Sequence, residues 1–458
     1  MLCSCFFSYS GLRLTVQRSL RVRSNDVSAV VQGRGSVVED SVSVRSRHIP
    51  SRKRPTEGGR SGGHGDRTRN PLRGTSFPMM PLTIRLSSQW SLDYRKHILP
   101  GSIHKPTLKS YARFFSMNDC RRWIYRKNST SYDLVAQTQP APSPNDLQPH
   151  ECLVAVKAVS LNYRDRIQWR NLAGRNVEGK VPASDGAGEI LAVGSAVSRF
   201  QPGDRVAASF FPTWTSGRFD LGYHQADLGG NVDGMLRDFA VFDQDALVRI
   251  PDGWSFAQAA TLPCAALTAW VALVRRGNLQ TGQSVCVLGT GGVSIFALQF
   301  AKLLGAKVVV TSSSDAKLEK ARQLGADHGI NYRETPEWSK SVWAWSEGRG
   351  VDHVVEVGGP GTFEQSMKSV AADGHIALIG VLTGFGPPTA SLFPLLARNV
   401  RLNGIYVGAR DDFEAMVAFL NSHRLTPQID RTFRFEQTPE AFEYLESAQH
   451  FGKIVIEL

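Results

Sequence analysis

Three glycines, Gly289, Gly291 and Gly292, stand between a short apolar run, Val285 to Leu288, and a stretch from Val293 to Lys302 with apolar residues at helical spacing. A buried strand that breaks into a glycine turn and then a helix is suited to one kind of chemistry. The glycines let the backbone approach a pyrophosphate closely. The free N–H groups of the first helical turn, with the helix dipole, bind its negative charge. About 20 residues further on, a dinucleotide site that selects NAD usually presents an acid to the ribose hydroxyls. This chain instead offers Thr311, Ser312, Ser313 and Ser314. Asp315 comes slightly late and favours the start of the next helix through its dipole. Hydroxyls at that tip, with Lys317 one turn into the helix and Tyr332 ending the next strand, suit a 2′-phosphate, and so NADPH.

Such a site needs a parallel sheet to hold it, and the flanking sequence supplies the pattern. Lys307 to Thr311 reads as a second strand, Asp315 to Leu324 as a helix, and Gly329 to Tyr332 as a third strand. Val351 to Gly358 and His375 to Gly380 read as two more, an alternation expected of a doubly wound sheet covered on both faces. Upstream the texture is all-β. Arg121 to Tyr125, Tyr132 to Gln137, Glu151 to Ser160, Gly186 to Gly194 and Phe200 to Val206 read as strands or strand-and-turn segments. An irregular aromatic segment runs from Phe210 to Phe239. Phe433 to Phe435, a helix from Pro439 to Ser447, and Lys453 to Leu458 read as a return to the first domain. The expected class is α/β with three parts: a disordered basic extension over 1–116, a β domain over 117–253 completed by 409–458, and a dinucleotide-binding domain over 254–408.

The chain has 458 residues and a net charge of +12, which suggests nucleic acid until the charge is located. Residues 1–116 hold 20 Lys and Arg against 6 Asp and Glu, a net of +14, which leaves −2 for the remainder. The folded part is nearly neutral, so no nucleic-acid partner is expected. The extension shows no sustained period and reaches Asp26 before any acid, after Arg13, Arg18, Arg21 and Arg23. That matches a transit peptide in composition; the alternative is an upstream region with Met117 as the working start. The expected location is cytoplasmic, or mitochondrial if the extension is real. Cys3, Cys5, Cys120, Cys152, Cys264 and Cys286 show no C-x-x-C pair and no framework spacing, which suits a reducing compartment. Trp254 to Val274 is uncharged, but carries Gln258, Thr261, Pro263 and Thr268 and leads into the glycine turn. It is read as a buried interdomain helix, with no membrane partner.

Residues 160–165 (Ser-Leu-Asn-Tyr-Arg-Asp), 202–206 (Pro-Gly-Asp-Arg-Val), 289–293 (Gly-Thr-Gly-Gly-Val) and 451–455 (Phe-Gly-Lys-Ile-Val) together resemble the medium-chain dehydrogenase/reductase superfamily. The resemblance covers Met117 to Leu458 and implies a GroES-like β domain, built from both chain ends, beside a Rossmann domain, with the active site between them. Within the superfamily the chain resembles the zinc-independent alcohol dehydrogenase-like and quinone oxidoreductase-like branch, which includes enoyl reductase domains. Ser294 departs from the family, standing where a third glycine is common; it is small enough for helix–strand contact and can add a hydroxyl near the phosphates. Zinc-dependent relatives hold the metal with Cys, His (often followed by Glu) and Cys. Here these positions fall on Asn162, Ser184 with Asp185, and Cys264, which is too poor a ligand set for zinc. The four closely spaced cysteines of a structural-zinc lobe are also missing from Phe211 to Arg237, so no metal is expected.

The resemblance further implies that Val293 and Thr268 pack near the nicotinamide, that the loop from Gly380 and Val381 to Thr383 meets its carboxamide, and that Lys453 reaches the pyrophosphate; Gly358 is also expected to bind the cofactor. It also implies that Asn162 and Tyr163 face the cleft, where either can hydrogen-bond a substrate carbonyl oxygen. Asp165 is expected to form an ion pair with Arg164 or Arg166. Trp214, Phe219, Tyr223 and Met235 suggest an apolar wall for a small-molecule substrate. The expected activity is NADPH-dependent hydride transfer to a carbonyl or carbonyl-activated double bond of a quinone, enone, enoyl compound or aldehyde. The alternatives are an alcohol dehydrogenase and a nucleotide-binding protein without useful turnover. By resemblance, a homodimer is expected through the sheet edge near Val400 to Tyr406.

Overall fold

The computed structural model describes residues 119–458, together with a two-stranded hairpin of β1 (Ser8–Tyr9) and β2 (Leu12–Arg13). The expectations placed on the rest of 1–116, including Cys3 and Cys5, lie outside the described residues. Cys120, Cys152, Cys264 and Cys286 are free thiols.

After an antiparallel ribbon of β3 (Asp119–Lys127) and β4 (Tyr132–Pro140), the first sheet is built from β5 (Glu151–Leu161), β6 (Asp185–Val193), β7 (Arg205–Ala208), β8 (Phe239–Asp243) and β9 (Leu247–Arg249). The second is built from β10 (Ser284–Leu288), β11 (Lys307–Ser312), β12 (His328–Asn331), β13 (Val351–Glu356), β14 (Val370–Leu378) and β15 (Arg401–Gly404). Its order is β12-β11-β10-β13-β14-β15 with every pair parallel, the doubly wound order in which ligands bind where the winding reverses, beside β10. The chain then returns. β16 (Ile429–Arg434) and β17 (Lys453–Glu457) extend the first sheet, with β17 antiparallel to β5.

The central strands β10, β11 and β13 are rich in valine and almost wholly buried, as strands covered on both faces must be. The apolar helix Phe256–Arg276 is long and apolar enough to cross a membrane, yet 78% of its apolar window is buried inside the fold. It joins the core of the parallel sheet through Leu267, Ala269 and Trp270, and its residues also touch β6 and β7. The two sheets thus meet along one helix, and the crevice beside it receives the ends of β5, β10, β11 and β17.

Candidate active site

The turn after β10 has the geometry its glycines suggest. Gly289 sits at φ +72° and its N–H donates to the Thr311 carbonyl at 2.8 Å, tying the turn to β11. Around Gly291 there is open space for 4 Å beyond where a Cβ would stand, and no side chain caps the Gly292–Leu303 helix that starts there. The first-turn amides are therefore left for an anion. At Gly292 the constraint is a close approach, since a Cβ would stand 2.6 Å from Lys453 Cδ. Ser294 turns its hydroxyl inward, donating to the Leu288 carbonyl at 2.6 Å. It fastens helix to strand instead of pointing at a ligand.

At the tip of β11, Ser312 is buried and its hydroxyl accepts from the Ser314 N–H at 3.3 Å, while Ser313 is half-buried. The Tyr332 N–H donates to the Ser312 carbonyl at 3.0 Å, which brings its ring, 41% exposed, beside the same tip. Lys317 belongs to the helix Asp315–Gln323, and its ammonium donates to the Ala448 carbonyl at 2.9 Å. Burial lowers its pKa, with Asp430 opposing. Ser312, Ser313, Lys317 and Tyr332 are thus gathered at one end of the sheet.

A buried acid that sequence reasoning missed organises the next loops. Glu356, ending β13, accepts from the N–H groups of Gly358 and Gly359 at 2.7 and 2.9 Å, from Thr362 Oγ1 at 2.6 Å and from the Ser366 hydroxyl. Thr383 Oγ1 donates to the Gly358 carbonyl at 2.8 Å, joining this loop to the one carrying Gly380 and Val381. A Cβ at Gly380 would stand 2.0 Å from the Val357 carbonyl oxygen, so only glycine lets the loops lie this close. The signal was present in the sequence, as an acid ending an apolar strand just before Gly358 and Gly359.

Where the two sheets meet, Asn162 begins the helix Tyr163–Trp169 and its N–H donates to Asp165 at 2.8 Å. Lys453, 3% exposed, donates to Asn162 Oδ1 and to the Leu161 carbonyl, each at 2.6 Å. Asn162 Nδ2 is buried, and the Asn162 side chain acts on the Asp185 carboxyl. Asp185 accepts from the Ser184 hydroxyl at 2.8 Å and the Cys264 N–H at 3.1 Å. Burial raises the Asp185 carboxyl, while the Lys453 charge and then Asn162 pull it back. Burial pushes Asp165 up to about 6 and the Cys264 thiol far above its ordinary range, and it lowers Lys453. Thr268 is buried in the interdomain helix, and Val293 is half-buried on the first turn beyond the glycines.

The other polar residues of this region differ from expectation. The Tyr163 hydroxyl accepts from Arg166 Nη1 at 3.0 Å, and Arg166 in turn meets Glu446 at 3.1 Å, so this phenol is engaged along its own helix. Asp165 forms no ion pair with Arg164 or Arg166; it holds its helix N-terminus. Arg164 pairs with Asp227 at 2.5 Å, which Arg175 also meets at 2.7 Å, and lies 4.6 Å above the Phe210 ring.

Of the expected aromatic wall, Trp214, Phe219 and Tyr223 stand together: Trp214 and Tyr223 are stacked at 5.7 Å, and Trp214 meets Phe219 edge-on at 5.0 Å. Phe210, Phe211, His224 and Tyr406 complete the cluster. Met235 is not part of it. It is wholly buried in the core of the first sheet, against Gly186, where a Cβ would stand 2.8 Å from it.

Comparison with known proteins adds an independent line. Residues 148–252 match the alcohol dehydrogenase GroES-like domain and residues 292–422 the zinc-binding dehydrogenase domain. A zinc-type alcohol dehydrogenase-like protein of Schizosaccharomyces pombe is 45% identical over 344 residues, covering 74% of this chain and 99% of its own. A second protein so described, from Leptosphaeria maculans, is 32% identical, covering 70% of this chain and 93% of its own. Among solved structures, a putative alcohol dehydrogenase from Sinorhizobium meliloti is 42% identical with a TM-score of 0.70, covering 74% of this chain and 99% of that one.

Proposed function

The chain belongs to the alcohol dehydrogenase-like, medium-chain dehydrogenase/reductase family of NAD(P)-dependent oxidoreductases, and we propose that it is a zinc-independent, NADPH-dependent carbonyl or enone reductase. The reading rests on one contact, the Lys453 ammonium on Asn162 Oδ1. It lies where zinc-dependent relatives are expected to hold their metal. A catalytic zinc takes about three N, S or O ligands and keeps one open position. Here the Asn162 oxygen already accepts from an ammonium, the Ser184 hydroxyl donates to Asp185, and burial holds the Cys264 thiol in its protonated form. Among the described residues no three His, Cys, Asp or Glu side chains come together as a metal site. These residues do not fit zinc, and the Lys453 side chain stands there instead.

The residues do fit a dinucleotide. Gly289 and Gly291 leave the backbone open to a pyrophosphate, Gly292 lets Lys453 pass close by, and the uncapped helix start supplies N–H donors. Ser312, Ser313, Lys317 and Tyr332 suit a 2′-phosphate, while the nearby Asp315 opens the following helix and accepts from Asn331 Nδ2 at 3.0 Å. Thr268 and Val293 would line the nicotinamide, with Gly358, Gly380 and Val381 on its carboxamide side. Bound NADPH supplies the hydride. As charge develops on the substrate oxygen, the Asn162 amide N–H is the donor that meets it, and Lys453 both orients that amide and stabilises the charge.

The test is oxidation of NADPH and NADH by the full chain across quinones, enones and aldehydes, with and without a strong chelator. Chelator-resistant, NADPH-selective turnover is expected. A preference for NADH refutes the cofactor assignment, and loss of activity on chelation refutes the zinc-free site. We also propose a homodimer through β15, whose outer edge is unpaired among the described residues and is approached by exposed Leu392, Phe393 and Leu396. Sedimentation at the monomer mass refutes it.

A further inference from the structure

The aromatic cluster is assembled from both sides of the crevice. Phe210, Phe211, Phe219 and His224 lie in the connection between β7 and β8, whereas Tyr406 follows β15 of the parallel sheet. The Tyr406 ring stands 5.4 Å from Phe211, is stacked at 6.4 Å on Phe219 with an interplanar angle of 22°, and meets His224 edge-on at 5.0 Å. Its segment is held on three sides. The Arg410 and Asp411 N–H groups donate to the Trp214 and Thr215 carbonyls at 3.0 and 3.1 Å. On the third side, a Cβ at Gly408 would stand 2.7 Å from Val271 of the interdomain helix.

Phe210 and Phe211 are wholly buried, so they back the wall, while Tyr406 is 47% exposed and presents it. The wall adjoins the reacting centre, because Arg164, two residues after Asn162, stacks on Phe210 from within the catalytic helix. No hydrogen bond ties the Tyr406 hydroxyl to another described residue, in contrast with Tyr163.

We propose that Tyr406 is a specificity-determining residue whose exposed ring, with Phe219, selects substrates bearing a flat aryl or quinonoid group on the reacting carbonyl over saturated ones of equal size. The proposal rests on the carbonyl-reductase reading above. A flat ring can stack on or meet an aromatic wall edge-on, and such pairs are worth about two- to twelvefold in affinity beyond buried area. A puckered ring of the same size gains the burial without the ring pairing.

The test uses the full chain saturated with NADP+ and two unreactive ligands sharing a carboxamide head, benzamide and cyclohexanecarboxamide, titrated by calorimetry. Benzamide is expected to bind about five- to tenfold more tightly; Tyr406→Leu abolishes that ratio and Tyr406→Phe retains it. Phe219→Leu serves as a second variant should Tyr406→Leu fold poorly, as judged by its unfolding midpoint, and it is expected to reduce the ratio. Equal binding of the two amides, binding of neither, or a ratio that survives both leucine variants overturns the proposal. The reductase reading fails separately, through absent turnover with every carbonyl compound while the amide ratio persists.

Discussion

The Lys453 ammonium donates to the Asn162 side-chain oxygen across 2.6 Å, joining the last strand of the chain to the helix that follows β5. The same lysine stem passes over Gly292, where a Cβ would stand 2.6 Å from Cδ. One side chain thus touches both the glycine turn after β10 and the Asn162 amide. Its oxygen being taken, Asn162 has only its amide N–H groups left to offer.

Asn162→Ala removes that donor. The expected result is a fall in kcat of about 10²-fold, the usual effect of deleting one donor to a developing oxyanion, with NADPH affinity little changed. Steady-state kinetics with fluorescence titration of NADPH separates the two, and an unchanged kcat excludes Asn162 from the reaction.

Gly292→Ala tests the coupling through Lys453. The new methyl must displace a lysine held by two hydrogen bonds, and it also meets Ala265 at 3.1 Å. Cofactor dissociation constants are expected to rise about tenfold or more, with kcat falling alongside, as overpacking of a well-filled site costs about 1–3 kcal/mol. Equilibrium titration decides; full affinity means that the lysine swings aside without consequence.

Lys317→Ala should act on one cofactor only. A charge-assisted hydrogen bond contributes about 1.5–3 kcal/mol, so NADPH affinity is expected to fall about tenfold or more while NADH affinity stays level. Parallel losses for both cofactors place Lys317 away from the 2′-phosphate.

Two buried histidines give the fold an acid limit. His353 on β13 and His375 on β14 face each other with Nδ1 atoms 3.4 Å apart, His353 also meets Gln283 at 3.0 Å, and His375 Nε2 is buried without a partner. Burial lowers both to about 4, aided by Arg401 and, for His353, by His375 itself. Between about 6.5 and 4 the unfolded chain binds protons that the folded one refuses, so this stability is fully present above pH 6.5 and lost as pH falls toward 4. The slope is about 1.4 kcal/mol per pH unit for each histidine. Denaturant titrations at pH 7 and pH 5 should show the loss, and His375→Asn should flatten it.

Much of this was legible in the chain itself, because periodicity and turn chemistry are local. Valine runs ending in glycine, helical spacing from Val293, and the absence of an acid at Ser312 to Ser314 each depend only on neighbours in sequence. From them came a parallel sheet, a dinucleotide turn and the gathering of Ser312, Lys317 and Tyr332. The tertiary structure alone decided what residues far apart do to each other. It turned the Ser294 hydroxyl inward, sent Tyr163 to Arg166, gave Arg164 to Asp227 and buried Met235 in a core. It also set Tyr406 among Phe211, Phe219 and His224, and Lys453 upon Asn162, 291 positions earlier. Hydrogen bonds and ring contacts of that kind are fixed by which elements the sheets bring face to face, and no local pattern records them.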